Sequence, residues 1–277
     1  MLMASGMFIN GLTSCAGAGA EKTIGLQLYS LRDYVKEFGI QKTLELVAQM
    51  GYKTLEAAGY NDGLLYGMKP VELKKMVDDL GMRMTSSHIG KAYNKEQEAE
   101  IYSWWDKAVE AHNALGVKYM VLPFMAVNDS TTLDDIKCNC DYLSQVGLRT
   151  AAASIGFGYH NHDFEFKKID DQIIYDFMLN NVSKDHVMFQ MDVYWVVRGG
   201  YNPVDYMKKY GDQIKLLHIK DEKEIGASGM MDFEAIFNQA NAIGIKDWYT
   251  EVERYSGKPE DSVKQSFDFL NNAAYVK

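Results

Sequence analysis

Six histidines are spread over the 277-residue chain, and four of them stand where apolar runs stop: His88, His160, His162 and His218. Carboxylates close other runs of the same kind, at Glu56, at Asp192, and at Glu251 with Glu253. Imidazole with carboxylate and no thiolate is the donor set of a divalent cation such as Mn²⁺, Co²⁺, Zn²⁺, Fe²⁺ or Mg²⁺. One such residue at a strand end is commonly a satisfied structural group. Four or more from separate segments point to a shared cation. The segment Tyr159–Phe166 places His160 and His162 two residues apart, on one side of an extended chain, with Glu165 just beyond. Phe189–Trp195 ends an apolar strand on Asp192, and Leu216–Asp221 puts His218 and Lys220 on one face. Lys220 is placed to meet a substrate oxygen, and Asp221 to orient a neighbour from behind. The remaining histidines, His112 and His186, fall in a helix and a turn.

Those residues need a frame that brings distant strand ends together. From Thr23 onward, short β-like runs alternate with longer amphipathic stretches. Strands are expected at 24–29, 53–56, 82–87, 118–123, 155–160, 187–191, 214–219 and 248–252. Helices are expected between them at 40–50, 70–80, 96–115, 132–153, 173–179, 203–210, 232–243 and 262–274. Pro70 starts one helix, Asp232 caps another, and Gly51, Gly81 and Gly116 end three of them. Eight βα units of this size predict an α/β fold, a single-domain (β/α)₈ TIM barrel over residues 21–277. An open doubly wound sheet is the alternative, but no Gly-x-Gly-x-x-Gly follows any strand. In a barrel the active site lies at the C-terminal ends of the strands, which is where the histidines and carboxylates stand.

The composition sets limits on partners. Hydrophobic residues make up 47% and charged residues 24%, enough for a large core, and formal net charge is −9. Lys and Arg are scattered, so a nucleic-acid partner is not expected. An acidic chain suits a neutral sugar or a metal cation better than a multiply phosphorylated substrate. Of three cysteines, Cys138 and Cys140 are separated by one residue on a helix and read as incidental thiols. Cys15 differs: residues 1–20 are apolar and small, and Leu12-Thr13-Ser14-Cys15 followed by Ala16-Gly17 reads as a bacterial lipoprotein signal, without a basic start. The chain is then expected in the cell envelope or periplasm, touching the membrane only through a lipid on Cys15. A cytoplasmic location is the alternative. Oligomers are possible.

Tyr159–Phe166, Asp192–Tyr206, His218–Asp221 and Thr250–Glu253 resemble, in order and spacing, the xylose isomerase-like TIM barrels. That group takes in sugar phosphate isomerases/epimerases and is related to AP endonuclease family 2. The resemblance implies a divalent metal held from strands five to eight. Its epimerase members use Glu, Asp, His and Glu there, and the matching positions here are His160, Asp192, His218 and Glu251. The first is a departure, and His162 or Glu165 stands as a substitute ligand.

The resemblance also implies proton transfer beside a sugar carbonyl by a pair of glutamates. With His160 in place of one, Glu251, His160, His162 and Lys220 become the candidate catalytic groups, and imidazole suits acid–base work near neutral pH. Glu56, His88, Trp195, Lys220 and Glu253 are expected to contact substrate, and Tyr29, Tyr93 and Phe124 to stack on sugar faces. Trp104 and Trp105 read as helix packing. The expected function is metal-dependent isomerisation or epimerisation of a keto-sugar. The alternatives are a lyase or dehydratase on 3-keto-glycosides or keto-inositols, and a non-catalytic sugar-binding barrel.

Overall fold

A computed structural model describes residues 22–277. The lipoprotein-like segment with Cys15 lies outside the described residues. Eight parallel strands close into a barrel in chain order, the last pairing with the first. They are β1 (Gly25–Gln27), β2 (Thr54–Ala57), β3 (Arg83–His88), β4 (Tyr119–Leu122), β5 (Gly156–His160), β6 (Val187–Asp192), β7 (Ile214–Lys220) and β8 (Asp247–Glu251). Each expected strand is present, shifted by at most two residues at its ends. The exceptions in detail are informative. The first strand stops at Gln27, because the Gln27 side chain accepts from the Tyr29 N–H and turns the chain into a 3₁₀ turn at Leu28–Leu31.

Nine helices follow among the described residues: α1 (Arg32–Met50), α2 (Pro70–Asp79), α3 (Glu98–Leu115), α4 (Leu133–Ala152), α5 (Ile174–Asn181), α6 (Val193–Arg198), α7 (Pro203–Tyr210), α8 (Phe233–Ala242) and α9 (Pro259–Asn272). Helix α1 starts eight residues before the expected Ile40. It is broken at Gly39, which holds φ 84° and ψ 164°, and only the part beyond Gly39 buries residues (Ile40, Leu44, Val47). The earlier part carries only Tyr34, Val35 and Phe38 as apolar residues, too short a stretch before Gly39 to read as a helix of its own. Helix α6 was not expected at all. Asp192 ends β6 and at once caps α6, its Oδ1 accepting from the Trp195 N–H at 3.0 Å.

The main core lies between the strands and the helix ring. The barrel interior is layered. A small apolar plug of Val121, Leu216 and Tyr249 fills the lower end. Above it lies a fully buried polar layer that includes Gln27, Glu56, Ser86, Gln190 and His218. Packing density fixes such inward side chains in position. Register then sets which strand ends meet: Gln190 lies beside His160, Asp192 beside His218, and Lys220 beside Glu251.

His112 on α3 shows how tightly the helix ring is tied to the strands. It is fully buried. Its Nδ1–H donates to the Ala108 carbonyl at 2.7 Å and its Nε2 accepts from the Ser87 hydroxyl at 2.9 Å. Both bonds suit a neutral ring, and burial pushes its pKa down to about 4. An unfolded histidine titrates near 6.5, so the unfolded chain takes up the proton first as pH falls. Stability from this group is complete above pH 6.5 and is lost between 6.5 and 4. Between pH 7 and pH 5 the native chain should lose roughly 2 kcal/mol more stability than a His112→Gln variant. Urea unfolding of both at both pH values measures this, and equal losses would contradict it.

Candidate active site

Four of the strand-end residues converge. His160 from β5, Asp192 from β6, His218 from β7 and Glu251 from β8 each offer a ligand atom, and these atoms lie within 4.8 Å of one another. All four residues are buried. His88 from β3 joins His160 and His218 in an overlapping group of the same tightness. The rings of His88 and His218 stack with centroids 4.9 Å apart.

Hydrogen bonding divides this cluster into atoms that are committed and atoms that are not. His218 Nε2 meets Glu56 Oε2 at 2.5 Å. The Glu56 carboxylate also accepts from Gln27 Nε2 at 2.7 Å, Ser86 Oγ at 2.6 Å and Gln190 Nε2 at 2.8 Å. Gln190 Oε1 in turn meets His88 Nε2 at 2.7 Å. By contrast, Asp192 Oδ2, His160 Nδ1 and His218 Nδ1 are buried without a hydrogen-bond partner. Orphaned buried polar atoms are costly. Three on adjacent strand ends, in an imidazole–carboxylate donor set, suit a divalent cation.

The electrostatics follow from burial and neighbours. Burial works against ionisation of Glu56, yet His88 and His218 hold its pKa at about 2. Burial likewise opposes charge on His218, and Glu56 and Glu251 outweigh it, raising its pKa to about 10. Asp192 goes the other way: burial raises it to about 7 despite Lys220. Burial opposes a charge on Glu251 as well, but Lys220 and His218 keep it well below the usual carboxylate range. Lys220 Nζ lies 3.2 Å from Glu251 Oε2 and 2.7 Å from Glu253 Oε2.

Above the cluster opens a cavity of about 420 Å³. His160, Glu251, His88, His162 and Glu253 face it, with Tyr29, Tyr60, Trp104 and Phe124 in its walls. None of its lining residues is Lys or Arg. His162 has an unpartnered buried Nδ1, and its ring lies parallel to Phe164 at 5.5 Å and tilted against Trp195 at 5.7 Å.

Several expected roles need correction. Glu56 is fully buried beneath the cavity and every lone-pair direction is taken, so it supports His218 rather than touching substrate. Lys220 and Trp195 do not line the cavity: the ammonium sits behind Glu251 and Glu253, 5.7 Å from the Trp195 ring. Glu165 does not join the donor cluster. Its carboxyl accepts from the Tyr159 hydroxyl at 2.5 Å and the His162 N–H at 2.8 Å, and burial raises its pKa to about 8. It therefore holds His162 in place from behind. Asp221 ties down the loop after β7, accepting from the Glu222 and Gly226 N–H groups and from Ser228. Trp104, read as packing, forms cavity wall, whereas Trp105 is indeed buried against Phe157.

Two residues had escaped attention. Gln190 bridges His88 and Glu56. Asn161 clamps β5 to β6, its Oδ1 accepting from the Asp192 N–H at 3.1 Å. Gln190 is an uncharged amide inside an apolar strand, and Asn161 follows the end of β5 between two histidines that draw the eye first.

The match to known proteins agrees with this geometry. Residues 44–273 match the xylose isomerase-like TIM barrel family, and the chain belongs to it. A crystal structure from Parabacteroides distasonis ATCC 8503, described as a sugar phosphate isomerase/epimerase, is 39% identical with a TM-score of 0.87, covering 92% of this chain and 100% of that one. The 3-keto-D-glucoside 4-epimerase of E. coli shares the fold at 20% identity and a TM-score of 0.69, over 91% of this chain and all of its own. Inosose dehydratase of Geobacillus kaustophilus is 22% identical over 198 residues, which is 65% of this chain and 61% of that enzyme's length.

Glu56 gives the sharpest test of the hydrogen-bond hierarchy. Partners behind a ligating imidazole are typically worth about 10–100-fold in metal affinity. Glu56→Gln should weaken Zn²⁺ binding in calorimetry by about that factor, and Asp192→Ala should abolish it. Wild-type affinity in Glu56→Gln would mean that His218 needs no support.

Proposed function

We propose that this chain is a divalent-metal-dependent enzyme that moves a proton beside the carbonyl of a neutral keto-sugar. The observation that carries this is the meeting of His160, Asp192, His218 and Glu251 under an aromatic cavity lined by neither Lys nor Arg. These four residues would hold the cation, which when bound supplies a Lewis acid to polarise the sugar carbonyl. A phosphate group would find no fixed positive side chain in that cavity, which favours a free or glycosidic sugar. The aromatic walls offer the faces on which sugar rings stack.

Two groups facing the cavity can take the proton. Burial holds His162 below its ordinary pKa, so its ring is neutral near pH 7 and, facing the cavity, can accept a proton. Glu251 is kept ionised and is tied to Lys220, which can spread the charge as the proton moves. Glu253 and His88, also at the cavity, bind hydroxyls. Return of the proton to the sugar gives isomerisation or epimerisation, the class of reaction named for the Parabacteroides relative and the E. coli epimerase.

A second reading is favoured by His160, which stands where the family's epimerases carry Glu. With one glutamate of the epimerases' pair absent, the base that removes the proton has no partner to return it on the opposite face, and it can deliver that proton to a leaving oxygen instead. The C–H bond beside the carbonyl then breaks, the adjacent C–O bond breaks as the double bond forms, and the leaving oxygen takes the proton. That β-elimination is a lyase or dehydratase reaction, in line with the dehydratase match. Placement in the cell envelope through a lipid on Cys15 belongs to the same proposal, since sugar phosphates are cytoplasmic metabolites.

The test is solvent-proton exchange. Purified chain loaded with Mn²⁺ or Co²⁺ should place deuterium from D₂O beside the carbonyl of a ketose or a 3-keto-glucoside, read by mass spectrometry. Removing a general base typically costs about 10²–10⁴-fold, so His162→Asn and Glu251→Gln should slow exchange by that order. Product analysis in the same tube separates an epimer from an eliminated aglycone. Absence of exchange across a panel of ketoses and 3-keto-glucosides would remove the enzymatic reading.

A further inference from the structure

A second cavity, of about 430 Å³, opens beside the first. The two share one wall, made of Gly90, Pro123 and Phe124. The far side of the second cavity is formed by Tyr93, Tyr142, Met125 and Leu143, with the small residues Ala92 and Ala126 at its exposed edge. It therefore continues the substrate cavity outward, between the loops that follow β3 and β4.

Its chemistry differs from that of the first cavity. Tyr93 and Tyr142 stack with ring centroids 5.0 Å apart and planes 30° from parallel. The Tyr142 hydroxyl is fully committed, accepting from Trp105 Nε1 at 2.6 Å and donating to the Lys91 carbonyl at 2.7 Å. The Tyr93 hydroxyl donates to Glu98 Oε1 at 3.0 Å. Both phenols thus spend their polar ends on other partners, and the cavity's lining is apolar apart from Lys91 and Asn139. Phe124, 56% exposed on the shared wall, is among the most exposed large hydrophobic side chains of the described residues. Phe124 thus presents an aromatic ring at the joint between the two cavities, on which a flat ligand group can stack. Gly90 packs directly on Leu122 at the joint, where a Cβ would lie 2.5 Å from Leu122 Cδ1.

From this continuity and these walls we infer that the second cavity binds an apolar, planar substituent carried by the sugar, so that the natural substrate is an aryl glycoside rather than a free monosaccharide. The inference rests on the proposed sugar chemistry of the first cavity and adds the identity of what is attached. The sugar reaches the cluster of His160, Asp192, His218 and Glu251, while its aryl group passes Phe124 and lies against Tyr93 and Tyr142. An exposed aromatic wall and a desolvated ring supply binding that a methyl group cannot.

The test uses phenyl and methyl 3-keto-β-D-glucopyranoside as probes, with calorimetric binding to the full chain, both metal-free and Zn²⁺-loaded. Phenyl should bind at least tenfold more tightly than methyl. Ala126→Trp and Ala92→Trp, both at exposed positions that tolerate a larger side chain, should fill the second cavity. Each should bring phenyl affinity down to the methyl value and leave methyl binding unchanged. Equal binding of the two probes by the native chain overturns the inference while leaving the sugar reading intact. A phenyl preference that survives both substitutions overturns it as well. Binding of neither probe overturns the carbohydrate reading and this inference together.

Discussion

One buried anion organises the centre of this barrel. The Glu56 carboxylate has no solvent contact, yet its pKa is held at about 2. Taking a carboxylate out of water costs several kcal/mol unless charge and hydrogen bonds replace the lost hydration. Here Gln27 from β1, Ser86 from β3, Gln190 from β6 and His218 from β7 make up that shell around a group on β2. Five strands are thereby fastened to one point inside the barrel. Out of water, the group stays ionised only because the closed barrel surrounds it with these donors, and its charge in turn orients the imidazole above it. Fold and site are coupled through this one group.

The layering of the barrel explains why the donors stand where they do. The apolar plug of Val121, Leu216 and Tyr249 excludes water from below. The polar layer above it sits in a low-dielectric setting, where charge–charge interactions are stronger than at the surface. Only the topmost members, among them His160, His162, Glu251 and Glu253, face the open cavity. A side chain's role therefore follows from its height along the strand. Glu56 and His218 are support and donor, Glu251 is donor and wall, and Glu253 is wall alone.

Most of the frame was legible in the sequence because βα alternation and strand-end polarity are local signals. All eight strands came from reading where apolar runs stop; that reading placed the four converging donors among eight strand-end candidates, and the family resemblance singled them out. What was not legible depends on the third dimension. Helix α6 is only six residues long and begins on a residue that also ends a strand, so no apolar period announces it. Glu56 read as a substrate contact because strand-end position does not reveal how far below the rim a short strand lies. Lys220 and Trp195 read the same way, but a neighbouring pair of carboxylates draws the ammonium inward and away from the cavity. Glu165 read as a spare ligand because spacing alone does not show that Tyr159 points outward while His160 points inward. Trp104 and Trp105 are adjacent on one helix, and only the packing of α3 tells which of them faces the site.

The histidine at position 160 has an electrostatic consequence that bears on the chemistry. Were a divalent ion held as proposed by His160, Asp192, His218 and Glu251, two imidazoles would be neutral ligands and two carboxylates would carry one negative charge each, so the assembly would be neutral. A glutamate at position 160 would make it an anion. A cation whose charge is less fully cancelled withdraws more electron density from a sugar carbonyl, because the field at the oxygen is the sum over the ion and its ligands. Glu56 works in the same direction at a distance. Its charge is spent on His218 and on three neutral donors, so it orients an imidazole without adding a third carboxylate to the coordination set. Lys220 meanwhile screens Glu251 and Glu253 from behind. The arrangement concentrates positive potential at one point on the floor of a cavity that otherwise holds no cationic side chain. On the proposed reading a neutral sugar oxygen would be drawn to that point, and a phosphate elsewhere on the ligand would face Glu251 and Glu253.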